Sequence, residues 1–249
     1  MLKSAALKPN DTVLEIGPGR GALTHALAAT GAHIIAIEKD EALVAALAHE
    51  LAGENARIEI IADDILAWLP RAQKNGALAA GYKVVAAIPY YLTARLLRIL
   101  LQADPRPERI IITIPRAVAE RIVAVPPAMN LLALAVQTYG RARIIKTVPA
   151  TCFNPPPKIE SAILEISSIS DSFFRKDGIG EEDFFALIRP AFSQKRKTLI
   201  NSLGTIYTKK TIEQALDTCH LPHTSRPQEL SREEWVYLAS ALADRTGVL

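Results

Sequence analysis

Four groups of residues in this chain have the side chains or the backbone freedom to do chemistry. The first is the glycine set Gly17, Gly19 and Gly21, inside TVLEIGPGRGALT at positions 12–24. Glycine lets backbone N–H groups approach a ligand closely, and a strand, turn and helix in succession aim them at it. The second is Glu38, which closes the apolar run HIIAI at 33–37. An acid at a strand tip accepts hydrogen bonds from ribose hydroxyls. The third is Asp63 and Asp64 after IEIIA at 58–62, either of which can accept from the amine of a base. The fourth is Ile88, Pro89, Tyr90 and Tyr91 after KVVAA at 83–87, a short, stiff and aromatic stretch suited to a flat, planar partner. Each group also has a plain structural explanation. The glycines fit a tight turn, Glu38 with Lys39, Asp40 and Glu41 fits the start of a helix, and the tyrosines fit a core. Glycine loop and acid together favour a nucleoside ligand. The spacing G-x-G-x-G is not the G-x-G-x-x-G of dinucleotide folds, and with Pro89 and Tyr90 it disfavours a dinucleotide-dependent oxidoreductase.

These groups need a scaffold that gathers strand ends on one rim. Apolar runs at 13–16, 33–37, 58–62, 83–87 and 109–114 read as buried strands. Between them, 22–29, 41–51 and 94–101 read as helices, followed by 115–123 and 131–139. Thr93 is expected to cap the third of these and Pro115 to open the fourth. Positions 71–82 are polar enough to be surface. Two late strands, 143–148 and 159–166, are expected to pair, joined by a loop that Pro155, Pro156 and Pro157 stiffen. The alternation predicts an α/β fold, a Rossmann-like domain over 1–167 with a mostly parallel sheet covered on both faces. A hinge of low apolar content at 168–183 ends it. From 184 to 249 the pattern is helical, with Phe184, Leu187, Ile188, Ala191 and Phe192 on one face. A small all-α domain is the natural reading. In open α/β sheets ligands bind beyond the carboxyl ends of the strands, where all four groups fall.

Composition narrows the class. Of 249 residues 49% are hydrophobic, ample for a core, and the net charge is only +3. Attraction to nucleic acid therefore requires clustered charge. Lys195, Arg196 and Lys197, with Arg189 nearby, form such a cluster and suit phosphate contact. Two cysteines argue against a disulfide framework and for a reducing compartment. No apolar run approaches the ~18 residues of a membrane span, and the first residues carry no signal-peptide pattern, so a cytoplasmic protein without a membrane partner is expected. Cys219, His220 and His223 supply too few ligands for a metal site.

GPGRG, Glu38, Asp64 before Ile65 and Leu66, and Ile88-Pro89-Tyr90 resemble motifs of class I S-adenosylmethionine methyltransferases acting on adenine N6. Further along, F-x-P-x-P-K-I-x-S at 153–161, FSQKRKTL at 192–199, Asn201, Arg226-Pro227 and Glu229-Leu230-Ser231 are similar to the ribosomal small-subunit RNA adenine dimethyltransferases. The resemblance covers nearly the whole chain. Antibiotic-resistance RNA methyltransferases share the front motifs, and FSQKRKTL favours the ribosome-biogenesis branch.

The resemblance implies an enzyme that uses S-adenosyl-L-methionine to dimethylate N6 of two adjacent adenines near the 3′ end of small-subunit ribosomal RNA. Its partner would be the immature small subunit, and the chain would act as a monomer. By the same resemblance Glu15, Gly17, Gly19, Glu38, Lys39, Asp63, Asp64 and Ala87 hold the cofactor. Gly17 and Gly19 approach its methionine part, Glu38 its ribose and Asp64 its adenine amine. Ala87, Ile88, Pro89, Tyr90 and Phe153 form the catalytic end, with Tyr90 and Phe153 flanking an adenine that has left its stack. Arg189, Lys195, Arg196 and Lys197 take the RNA. No strong base is required, because the amine lone pair is delocalised into the ring. Acceptors must hold the N6 hydrogens and aim that lone pair, so positioning supplies most of the rate.

Three departures bear on activity. The family motif is Asn-Ile/Leu-Pro-Tyr, and Ala87 stands where the Asn belongs. Loss of one positioned polar group at a reacting centre typically costs about 10²–10³ in rate. The family usually opens with a segment carrying Gln-x-Phe-Leu, and the chain starts after it. Pro115 and Ala117 stand where Gln and Glu are common. A catalytically weak RNA-binding assembly factor is the alternative these departures keep open.

Overall fold

The computed structural model describes residues 1–53, 57–153, 156–177, 179–194 and 196–246, and side chains within them except those of Tyr90, Lys176, Asp177 and 244–246. Lys195, Pro155 and the Tyr90 ring, all named above, therefore lie outside the described parts. Close packing divides the chain into one unit of 1–120 with 140–169 and a second of 121–139 with 170–249.

The first unit is a seven-stranded sheet in the order β3-β2-β1-β4-β5-β7-β6. Its strands are β1 (Thr12–Ile16), β2 (His33–Glu38), β3 (Ile58–Ala62), β4 (Lys83–Ala87), β5 (Arg109–Pro115), β6 (Arg141–Val148) and β7 (Ser161–Ser167). β1 to β5 run parallel, and β7 joins β5 and β6 antiparallel. The expected pairing of the two late strands is thus met. Central strands are mostly apolar because both their faces are covered: Val13, Leu14, Val84, Val85 and Ile111 are fully buried. Edge strands β3 and β6 instead mix half-buried and exposed positions and have none that is buried. The helices of this unit are α1 (Leu2–Ala5), α2 (Ala22–Ala28), α3 (Glu41–Leu51), α4 (Ile65–Lys74), α5 (Thr93–Gln102) and most of α6 (Arg116–Ile122). α1 packs Ala5 into the cluster of Val13, Leu27, Ile34 and Val85. Beside it, Lys83 Nζ is held by the Asp11 carboxylate at 2.8 Å and the Ala6 carbonyl at 3.1 Å.

The chain reverses direction across the sheet between β1 and β4. Strands progress outward from β1 to β3, then return to β4 on the other side of β1. That switch point opens a crevice at the carboxyl ends of β1 and β4.

The second unit contains α7 (Leu131–Gln137), α8 (Ser172–Asp177), α9 (Glu181–Ser193), α10 (Leu199–Leu203), α11 (Lys209–Thr218) and α12 (Arg232–Thr246), and no strand among its described residues. Phe173, Phe174, Phe184 and Phe185 form an edge-to-face cluster with Tyr139, and Phe192 packs on the buried Trp235.

Five local expectations are corrected. Positions 121–139 belong with the helical unit rather than with the sheet. Asn130 donates to the Arg121 carbonyl, Gln137 to the Ile122 and Ala124 carbonyls, and Arg232 to the Gln137 carbonyl, tying this segment to α12. The supposed hinge at 168–183 holds α8, whose Phe174 is buried in the ring cluster. Thr93 is the first residue of α5 and not its cap, because a 3₁₀ turn at Tyr90–Leu92 leads into the helix. Pro115 ends β5 instead of opening α6, and Leu78 and Tyr82, within the supposed surface stretch, are buried.

Candidate functional site

The glycine loop follows β1 directly. Gly17, Gly19 and Gly21 all have positive φ (68°, 57° and 81°), a region L side chains enter only with strain. The Gly17 N–H donates to the Ile37 carbonyl at 2.9 Å, which anchors the loop to β2. Nothing lies within 4 Å of where a Cβ on Gly19 would stand, so the backbone there is open to a ligand. At Gly21 a Cβ would meet Leu47 Cδ1 at 2.3 Å, so this glycine serves the approach of α3.

Glu38 ends β2 with its carboxylate held by backbone alone. Oε2 accepts from the Gly19 N–H at 3.1 Å, and Oε1 accepts from the amides of Lys39 at 2.8 Å and Asp40 at 3.1 Å. Asp40 meanwhile caps α3 by accepting from the Ala42 and Leu43 amides. The local sequence therefore builds a helix start and fixes the acid in one stroke; the two readings of Glu38-Lys39-Asp40-Glu41 are compatible.

The two aspartates separate. Asp63 accepts from the Asp64 amide at 2.8 Å and is paired with Arg71, two turns along α4. Asp64 caps α4, accepting from the Leu66 amide at 2.9 Å, and its other oxygen meets Lys39 Nζ at 3.1 Å. The Leu66 amide, with the Lys39 hydrogen bond behind it, holds the Asp64 carboxyl below the usual carboxylate range, so it is an acceptor at neutral pH. Asp64 keeps acceptor capacity facing solvent, whereas Asp63 is committed to Arg71. Lys39 is exposed and its ammonium serves Asp64.

Glu15 lies in β1 just before the loop, 1% exposed, with Oε2 lacking a hydrogen-bond partner among the described residues. Burial pushes its pKa up to about 7, against a smaller opposing pull from Thr24 and His25. Glu165 in β7 is equally buried but lies between Arg109, at 2.7 Å, and Arg143.

At the end of β4, Ala87 is exposed and sits beside Thr113 in the register. Its carbonyl and Pro89 Cδ each lie 3.9 Å from where a Cβ on Gly17 would stand, so the fourth tip adjoins the glycine loop. Ile88 is buried and donates its N–H to the Thr113 carbonyl at 3.3 Å; it can reach a ligand only through its backbone. Pro89 is exposed, and its carbonyl accepts from the Leu92 amide at 3.0 Å. Phe153 is half-buried.

In the second unit, Arg121, Arg196 and Arg226 line one cavity of about 460 Å³ with Asn130 and Gln228. Arg196 and Lys197 line a neighbouring hollow with Phe192 and Gln194. Arg189 instead places its guanidinium over the Phe185 ring, 5.9 Å from the centroid. Arg121 and Arg226 were missed as partners of Arg196. No spacing links three residues so far apart in the chain, although Arg226 stands in a motif already noted. Among the described residues no helix is long and apolar enough to cross a membrane, and no cluster of three metal-ligating side chains occurs.

Comparison with known proteins adds four findings. A family model described as ribosomal RNA adenine dimethylase matches residues 1–244. A ribosomal RNA small subunit methyltransferase A of Dehalococcoides mccartyi (strain CBDB1) is 38% identical over 237 residues, covering 94% of this chain and 80% of the relative. Among solved structures, a dimethyladenosine transferase from Plasmodium falciparum matches with a TM-score of 0.78 at 22% identity, covering 95% of this chain and 91% of that one. The 23S rRNA methyltransferase ErmE matches with a TM-score of 0.71 at 23% identity, covering 96% and 94%. At such identities these two structures show a shared fold.

Proposed function

We propose that this chain, which belongs to the ribosomal RNA adenine dimethylase family, uses S-adenosylmethionine to dimethylate N6 of two adjacent adenines near the 3′ end of small-subunit ribosomal RNA. The immature small subunit is its partner, and it acts as a cytoplasmic monomer. The observation that carries the reading is the pair of acceptors on adjacent strand ends, Glu38 and Asp64, each oriented by backbone amides.

The residues fit the cofactor. Gly19 offers open backbone, Gly17 stands between the loop and the β4 tip, and Glu38 and Asp64 present acceptors to ribose hydroxyls and to an adenine amine. A carboxylate has about four lone-pair positions, and three amides already occupy three of those on Glu38. Accepting from both ribose hydroxyls therefore requires Glu38 to exchange the Gly19 amide, the one contact that crosses from the loop. Asp63 is left out of this set by Arg71. When bound, S-adenosylmethionine supplies an electrophilic methyl group.

On the substrate side, Pro89 fixes the backbone after β4, and Tyr90 and Phe153 supply the flat faces that hold a flipped adenine. The backbone carbonyls of this turn are the acceptors for the N6 hydrogens, since the methyl of Ala87 accepts none. That absence favours a second reading, an assembly factor that binds RNA and transfers methyl groups slowly. Arg196 and Lys197 take phosphates in both. The test is transfer of labelled methyl groups to small-subunit particles, followed by nucleoside analysis of the RNA. Dimethyladenosine at adjacent positions is expected. Particle binding without label would replace the enzyme reading with the second one.

A further inference from the structure

Helix α5 begins at the tip of β4 and has two faces. Leu96, Leu97, Leu100 and Leu101 are buried against the sheet unit. Arg95 and Arg98 are exposed, three residues apart on the other face. Tyr91 is 84% exposed, directly after Tyr90 in the 3₁₀ turn.

Neither arginine makes an ion pair among the described residues. Arg71, Arg109, Arg116 and Arg143 of the same unit each meet a carboxylate. The 3₁₀ turn that follows β4 leads straight into this helix, so its first turn lies next to the β4 tip, and the charge of Arg95 also bears, as a minor influence, on Asp64. The surface here is thus one exposed aromatic ring followed by two guanidinium groups that form no ion pair among the described residues, leading away from the proposed adenine pocket. An aromatic face stacks on any unpaired base, and arginine holds phosphate by paired hydrogen bonds. A protein partner would want an apolar centre, and this face offers only the one ring.

We propose that the exposed face of α5 is a track for the single-stranded RNA beside the target adenine, with Tyr91 stacking on a neighbouring base and Arg95 and Arg98 holding the phosphates beyond it. The proposal rests on the RNA reading above and adds to it the residues that grip the flanking strand.

Binding of a short single-stranded RNA with two adjacent adenines, followed by fluorescence anisotropy across a salt series, tests it. Tyr91→Ala should weaken binding about tenfold, and Tyr91→Phe should stay within about twofold of wild type, because the ring face is what stacks. Arg98→Gln should flatten the salt slope by about 0.7, and Arg95→Gln with Arg98→Gln by about 1.4, as one or two phosphate contacts are lost from a single strand. Affinity for duplex RNA, whose bases are already stacked, should be insensitive to Tyr91→Ala. Calorimetry with S-adenosylmethionine checks that Tyr91→Ala and Arg98→Gln leave the folded cofactor site intact. A wild type that methylates small-subunit particles, with variants that keep its RNA affinity and salt slope, overturns the track and leaves the proposed reaction standing. A wild type that neither takes up the RNA nor transfers methyl groups overturns both.

Discussion

At the end of β2 the Glu38 carboxylate gathers three backbone amides, and at the end of β3 Asp64 gathers an amide and an ammonium. At the end of β4, on the same rim, the side chain at position 87 is a methyl, which accepts no hydrogen bond. The proposed cofactor end is thus oriented by the protein's own backbone. The proposed substrate end has shape from Pro89 and its turn, without a side-chain acceptor at position 87. In the proposed reaction binding and rate are therefore separable: the first would depend on groups the fold already holds, the second on one position where a polar group is missing.

The largest effect expected from probing this contrast lies beneath the glycine loop. Glu15 is a buried carboxyl with one unpartnered oxygen and a pKa of about 7, against an ordinary 4.5. An acid whose pKa is raised by folding is neutral in both states at low pH. It destabilises the folded state progressively as pH rises from about 4.5 to 7, and fully above that. Glu15→Gln should match wild type in urea denaturation near pH 4 and be more stable by on the order of 3 kcal/mol at pH 8. Equal stability at both pH values would mean that Glu15 has a partner in solution.

Next comes the β4 tip. Ala87→Asn should raise the methylation rate about 10²-fold, with little change in RNA affinity, since the restored acceptor acts at the reacting centre. Single-turnover assays on small-subunit particles measure this; equal rates would assign the N6 hydrogens to backbone carbonyls near Ile88 alone. On the cofactor side, Glu38→Ala should weaken S-adenosylmethionine binding by roughly 1–3 kcal/mol, through loss of charge-assisted hydrogen bonds. Unchanged affinity in calorimetry would remove Glu38 from the site and with it the contrast between the tips. The smallest effect belongs to the helical unit. Arg196→Ala with Lys197→Ala should weaken binding to small-subunit RNA roughly tenfold at low salt and flatten its salt dependence, because fewer counterions are released. Arg189→Ala should alter binding less, as that guanidinium is engaged with Phe185. An unaltered salt slope in the double variant would return Arg196 and Lys197 to an ordinary solvated face.

Much of this layout was legible in the chain itself. Apolar runs of five or six residues specify buried parallel strands because both faces are covered. Glycine at 17, 19 and 21 specifies a turn with positive φ, and an acid following an apolar run specifies a polar strand tip. Those are local statements, settled by side-chain chemistry and chain geometry over a few residues. What the tertiary structure decided depends on partners from elsewhere. Asp63 and Asp64 are the same residue type side by side, and Arg71 on the next helix is what separates them. Helix α7 reads as one more element of the alternating pattern, and the bonds through Asn130, Gln137 and Arg232 assign it to the helical unit. Glu15 and Glu165 are both acids inside apolar strands. One is buried with an unpartnered oxygen, and the other meets arginines 56 and 22 positions away. A local pattern fixes which face of a strand a carboxyl occupies. Whether that carboxyl is charged depends on what the fold carries to it, because desolvation and ion pairing act through space and not along the chain.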